Sequence, residues 1–95
     1  MHGYANDKDL LVKRLHRIEG QVRGIEKMIN EDRYCIDILT QIAAVSTALE
    51  QVGARLLEDH VNHCVRAALA SGDEEEVGEK TAELLSAVQR FVKTR

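Results

Sequence analysis

A chain of 95 residues with one Phe, no Trp and 31% charged side chains lacks the bulky groups that fill a monomeric core. It therefore reads as one small domain over residues 1–95 that completes its core by association. The net charge of −3 argues against nucleic-acid binding by bulk charge alone, and charges interrupt every apolar run well short of the 18 or so residues that a membrane span needs.

The charge is unevenly spread: residues 1–33 carry seven Lys or Arg against six acids, residues 67–95 four against six. An acidic protein with a locally basic N-terminal face is the result. No stretch resembles a signal peptide, so the expected compartment is the cytoplasm, where two cysteines stay thiols or bind metal in preference to forming a structural disulfide.

Residues 1–5, His2 among them, read as a flexible N-terminus, with Asn6 as N-cap of a first helix and Asp9 in its first turn. Leu11, Leu15, Ile18, Val22, Ile25 and Ile29 recur at spacings of 4, 3, 4, 3 and 4, an apolar heptad seam that predicts a helix to about Asn30. Gly20 and Gly24 each cost about 1 kcal/mol inside it and suit the close approach of another backbone. Lys13, Arg14 and Arg17 fall within little more than one turn, Arg14 and Arg17 on the same flank of the seam. A solvated charged face is the simplest use of them. Repeated by the symmetry of an oligomer, the same patch can contact phosphates at several points, although no helix-turn-helix, zinc-finger or basic-zipper pattern is present. His16 falls on the polar side.

After the polar break Asn30-Glu31-Asp32-Arg33, a second seam runs through Cys35, Ile38, Ile42, Val45, Leu49, Val52 and Leu56, then His60 and Cys64. It predicts one long helix to about Ser71, ended by Gly72, with Arg55 a basic point near its middle. His60 and Cys64, four residues apart, share a face and suit two ligands of one ion. Cys35 lies about 40 Å from Cys64 along an unbroken helix, so only a second, antiparallel copy of the helix brings Cys35 of one chain to His60 and Cys64 of another.

A lone cysteine on a helix seam is ordinarily a small buried apolar residue. An imidazole on the same seam, one turn before a cysteine, is costly to bury unless its nitrogens are satisfied, which favours metal ligation for the set. Two thiolates and an imidazole form a soft, three-coordinate site, suited to Cu(I) rather than Mg²⁺ or Ca²⁺. Zn²⁺ competes, but its structural sites more often use close Cys-x-x-Cys pairs and a fourth ligand. His63 lies off the seam. A cysteine nucleophile with a histidine base has no phosphate loop, nucleophile elbow or strand framework to act in, so no enzyme and no small-molecule substrate are expected. A redox switch through Cys35 and Cys64 leaves His60 without a task.

A third helix opens at Asp73 as N-cap with Glu76 at the capping-box position, and presents Val77, Thr81, Leu84, Val88 and Phe91 at helical spacing. The fold class is all-α, three helices per chain, with no alternating strand pattern and no internal repeat.

The string from Arg14 to Ile25, RLHRIEGQVRGI, followed by YCIDILTQIAA over 34–44 and then His60-x-x-x-Cys64, closely resembles the copper-sensing operon repressor family, CsoR, over nearly the whole chain. The Cys, His, Cys set points to its copper branch. The resemblance implies an antiparallel four-helix-bundle dimer assembling into a disc-like dimer of dimers. It would bind operator DNA when metal-free, and Cu(I) would release it and derepress copper-resistance genes. Cys35 matches the ligand from one protomer, His60 and Cys64 those from its partner. Tyr34 and Glu83 match positions around the ligands, where a hydrogen bond to the ligand histidine couples metal to the last helix. Arg14 matches a DNA-contacting position. Gln51 departs from the basic residue of some relatives, leaving open which residue of the second helix meets DNA, with Arg55 a turn away. Sibling sensors are the alternatives. A nickel or cobalt sensor carries His at position 64 and an N-terminal His, which His2 superficially fits. A persulfide sensor lacks His60, and a formaldehyde sensor has no need of Cys64.

Overall fold

The computed structural model describes residues 4–93. His2 lies outside them, as do the first three residues of the expected flexible N-terminus. A short 3₁₀ turn, Ala5–Asp7, leads into α1 (Lys8–Asn30), followed by α2 (Cys35–His60), a π-helical turn (Val61–Val65), α3 (Arg66–Ser71) and α4 (Glu74–Lys93). Among the described residues there is no strand, so the all-α expectation holds. No helix among them is long and apolar enough to cross a membrane. The chain divides into two compact units, residues 6–54 and residues 55–95 with the first five.

In the first unit, α1 begins one residue later than Asn6 would place it: Asn6 belongs to the 3₁₀ turn and Asp7 is the N-cap, without a side-chain capping bond. The far end falls at Asn30 as the seam predicts. There Asp32 takes a left-handed φ of 54°, and the amides of Glu31, Asp32 and Arg33 donate to the carbonyls of Lys27, Ile29 and Met28. These bonds satisfy the last carbonyls of α1 and reverse the chain within four residues. The Tyr34 carbonyl then accepts from the amides of Asp37 and Ile38 and starts α2.

The core of this unit is Leu11 and Ile18 of α1 against Val45 and Val52 of α2, with Ile25 and Ala48 packed at its edge. These residues recur every seven positions on each helix, the repeat that keeps one line of side chains facing a neighbour. Only half of each predicted seam is covered in this way. The interleaved line of α1 stays exposed (Leu15 40%, Val22 49%, Ile29 57%), as do Ile42, Leu49 and Leu56 of α2. Four buried aliphatic side chains are far too few to offset the entropy of ordering two helices of this length. A second apolar line on both helices is the surface that a second copy would cover.

In the second unit the long predicted helix is not uniform. It is α-helical to His60, widens through Val61–Val65, where the Arg66 amide donates to the Val61 carbonyl five residues back, and resumes as α3. No Pro or Gly marks the change. Gly72 ends the helix as predicted, at φ 73°. α4 packs against both α3 and the π turn. Val77, Leu84, Val88 and Phe91 are half-buried on it, while Thr81, expected on the same stripe, is exposed and Lys80 half-buried instead.

Leu49→Glu places a carboxylate in the middle of the uncovered line. It should abolish association at concentrations where the parent chain self-associates, because a buried unpaired charge costs several kcal/mol. Sedimentation equilibrium checks this, with Glu50→Gln on the neighbouring position expected to leave association unchanged.

Candidate metal centre and DNA face

Cys35 is the first residue of α2 and His60 the last. Cys64 sits one turn beyond His60, inside the π turn. A turn closed by i to i+5 bonds holds more residues than an α turn, so positions 60 and 64 remain close to one above the other. Such turns are rare and concentrate at functional sites. Both thiols are free, Cys35 exposed and Cys64 half-buried, and His60 is half-buried. Cys35 continues the line Ile42, Leu49, Leu56 at seven-residue intervals, the apolar line left uncovered in the single chain. Two soft sulfurs and a borderline imidazole are a donor set that fits Cu(I) in few-coordinate geometry. Among the described residues no three His, Cys, Asp or Glu side chains of one chain gather at a metal-sized point.

The surroundings of His60 and Cys64 are set by α4. Asp73 caps it as predicted: its Oδ1 accepts from the amides of Glu75 (3.0 Å) and Glu76 (3.3 Å). The capping box closes through an intermediary. The Asp73 amide donates to Ser71 Oγ (3.2 Å), and the Ser71 hydroxyl faces both the Ala68 carbonyl (2.6 Å) and Glu76 Oε2 (3.2 Å). Gly72 and this cap fix the reversal that lays α4 on the π turn. Glu83 of α4 is 58% exposed and lies 3.8 Å from Lys80 Nζ. Tyr34 is also exposed, beside Cys35.

The basic residues separate into two settings. Arg14 and Arg17 line a hollow of about 290 Å³ with Gln21, Gln51, Ile18 and Ala48; Lys13, exposed on α1, is not part of its lining. Arg23 and Lys27, further along α1, sit 3.9 and 4.0 Å from Glu19 and Glu31. Among the described residues Arg14 and Arg17 have no such carboxylate. Arg55 Nε lies 3.7 Å from Oδ1 of Asp59, whose side chain is only 9% exposed. Asp59 stands seven residues after Val52, where the heptad calls for an apolar group, and a paired buried carboxylate was not legible from that pattern. Gln21 was legible in principle: it lies four residues after Arg17 and seven after Arg14, on the same flank.

The profile of the metal-sensitive transcriptional repressor family matches residues 7–90. The chain belongs to that family. It is 53% identical over 93 residues to the copper-sensing transcriptional repressor RicR of Mycobacterium tuberculosis, covering 98% of this chain and 96% of that protein. With CsoR of Bacillus subtilis it shares 50% identity over 93 residues, 98% of this chain and 89% of the relative. Among solved structures, the copper-sensing repressor CsoR with Cu(I) from Geobacillus thermodenitrificans superposes with a TM-score of 0.84 at 46% identity, covering 93% of this chain and 88% of that one. The nickel-responsive regulator InrS superposes at 0.77 with 43% identity over 87% and 90%.

Asp73→Ala removes the side-chain acceptor of two α4 amides and should lower stability by about 1 kcal/mol. The check is the midpoint of a urea unfolding curve, with an unchanged slope.

Proposed function

We propose that the chain is a Cu(I)-sensing transcriptional repressor that holds operator DNA when metal-free and lets it go when Cu(I) binds, derepressing copper-resistance genes. The observation that carries the reading is the donor set: Cys35 at the start of α2, His60 at its end and Cys64 in the π turn that follows, with Cys35 on the apolar line that a second copy would cover. Relatives of 53% and 50% identity that sense copper support it, as does the likeness to a Cu(I)-bound repressor. The soft sulfur at position 64 favours Cu(I) over the nickel of the InrS neighbour.

In this reading Cys35 of one protomer faces His60 and Cys64 of the partner subunit. A helix rising about 1.5 Å per residue keeps them apart within a chain, and an antiparallel partner brings them together. When bound, Cu(I) supplies a soft centre that holds two thiolates and an imidazole at one point. The four-helix dimer buries the uncovered lines of α1 and α2, and two dimers form the disc-like tetramer. Tyr34 and Glu83 flank the ligands: turning from Lys80 toward His60, Glu83 would carry the change to α4. Arg14 and Arg17 contact operator phosphates together with Lys13. Arg55, with its charge offset by Asp59, adds less. The protein works in the cytoplasm as a binding switch, with no enzymatic role.

Two sites coupled through one assembly must affect each other reciprocally, by about 1–3 kcal/mol in typical cases, or 5- to 150-fold in affinity. Cys35→Ala and His60→Ala should keep metal-free DNA binding and reduce the effect of copper on it to near onefold. Anaerobic Cu(I) titration against a competing chelator, paired with fluorescence anisotropy on DNA, reads both quantities. Copper binding that leaves DNA affinity untouched in the parent chain would refute the repressor switch.

A further inference from the structure

The hollow between α1 and α2 pairs two cations with two neutral amides. Arg14 and Arg17 have no carboxylate partner among the described residues, whereas Arg23 and Lys27 on the same helix each sit at an acid. Gln21 and Gln51 stand at the same hollow, over an apolar floor of Ile18 and Ala48. Two unpaired guanidiniums beside an apolar floor are a strong, poorly neutralised positive point, and each carboxamide adds two N–H donors of no charge. The shape matters as much as the charge. Side chains that read base edges must reach into a groove, but a recess accepts a group that protrudes from the duplex, and that group is the phosphate.

We infer that Gln21 and Gln51 are phosphate-binding residues: one DNA phosphate seats in the hollow, held by Arg14 and Arg17 through charge and by the Gln21 and Gln51 amides through neutral hydrogen bonds. The inference rests on the DNA-binding reading above. It assigns position 51 of α2 a contact without charge, in place of a cation. A neutral donor to phosphate adds affinity without releasing a counterion, so its loss must weaken binding without changing the salt dependence. Because every duplex carries the phosphate, the loss must also be the same for all sequences.

The test is salt-dependent anisotropy titration of the metal-free protein against two probes: a duplex enriched for binding from a random library, and a scrambled duplex of the same composition. Gln21→Ala and Gln51→Ala should weaken both duplexes alike, by about three- to tenfold each, with the parent salt slope. Arg14→Ala should instead lower the slope by about 0.9 for each occupied hollow. Gln51→Glu, isosteric with the parent, should weaken both duplexes further, and Gln51→Arg should steepen the slope. Parent-like affinity of Gln21→Ala and Gln51→Ala on both duplexes overturns the inference and leaves the DNA reading standing. A loss confined to the selected duplex overturns it in favour of base reading. Failure of the parent chain to bind either duplex removes the DNA reading itself, and this inference with it.

Discussion

Everything proposed for this chain depends on the length of α2. Cys35 is the first residue of α2 and His60 the last, and along a helix rising about 1.5 Å per residue such positions stand far apart, so the proposed three-donor site of Cys35, His60 and Cys64 borrows from another chain. The same helix supplies the means. Its apolar side chains form two interleaved seven-residue lines. Val45 and Val52 bury against α1 of the same chain, while Ile42, Leu49 and Leu56 stay exposed, in line with Cys35. In the proposed site, association and metal binding draw on one surface, and copper would report on the assembly because the three donors would meet only within it.

At the other end of α2 the helix gives way locally. The π turn holds Cys64, follows His60 directly and is packed by α4, which also carries Glu83. The Gly72 reversal and the Asp73–Ser71–Glu76 hydrogen bonds hold α4 in place over this turn. A change in how His60 and Cys64 are held thus has a packed neighbour to act on. The proposed DNA face uses the opposite flank of α1 from the exposed line of Leu15 and Val22: Arg14, Arg17 and Gln21 lie to one side of Ile18, Leu15 and Val22 to the other. One helix thereby carries intramolecular core, exposed apolar line and basic hollow at different angles around its axis.

Much of this was legible in the residues. Heptad spacing gave both long helices, Asp73 and Gly72 gave the boundary before α4, and the soft donor set with its wide separation is what motivates the proposed two-chain site. The rest was hidden for physical reasons. Both lines of each seam are equally apolar, so spacing could not tell which one the chain covers itself. The π turn is made of ordinary residues, Val-Asn-His-Cys-Val, with neither Pro nor Gly to announce it. Asp59 breaks the heptad with a charge that its pairing with Arg55 helps to make tolerable in a buried position. Gln51 carries no charge to mark it, and only the packing of α2 on α1 brings it to the hollow of Arg14 and Arg17.

The central claim, that one copper site is built from two chains, is tested most directly by complementation. Cys35→Ala and His60→Ala proteins, each lacking tight Cu(I) binding alone, are unfolded together, refolded as a mixture and titrated anaerobically with Cu(I) against a chelator. A mixed dimer holds one intact site, from Cys35 of the His60→Ala chain with His60 and Cys64 of the Cys35→Ala chain. Mixing should restore tight binding at one ion per mixed dimer. If the mixture binds no better than either variant alone, the two-chain site is wrong.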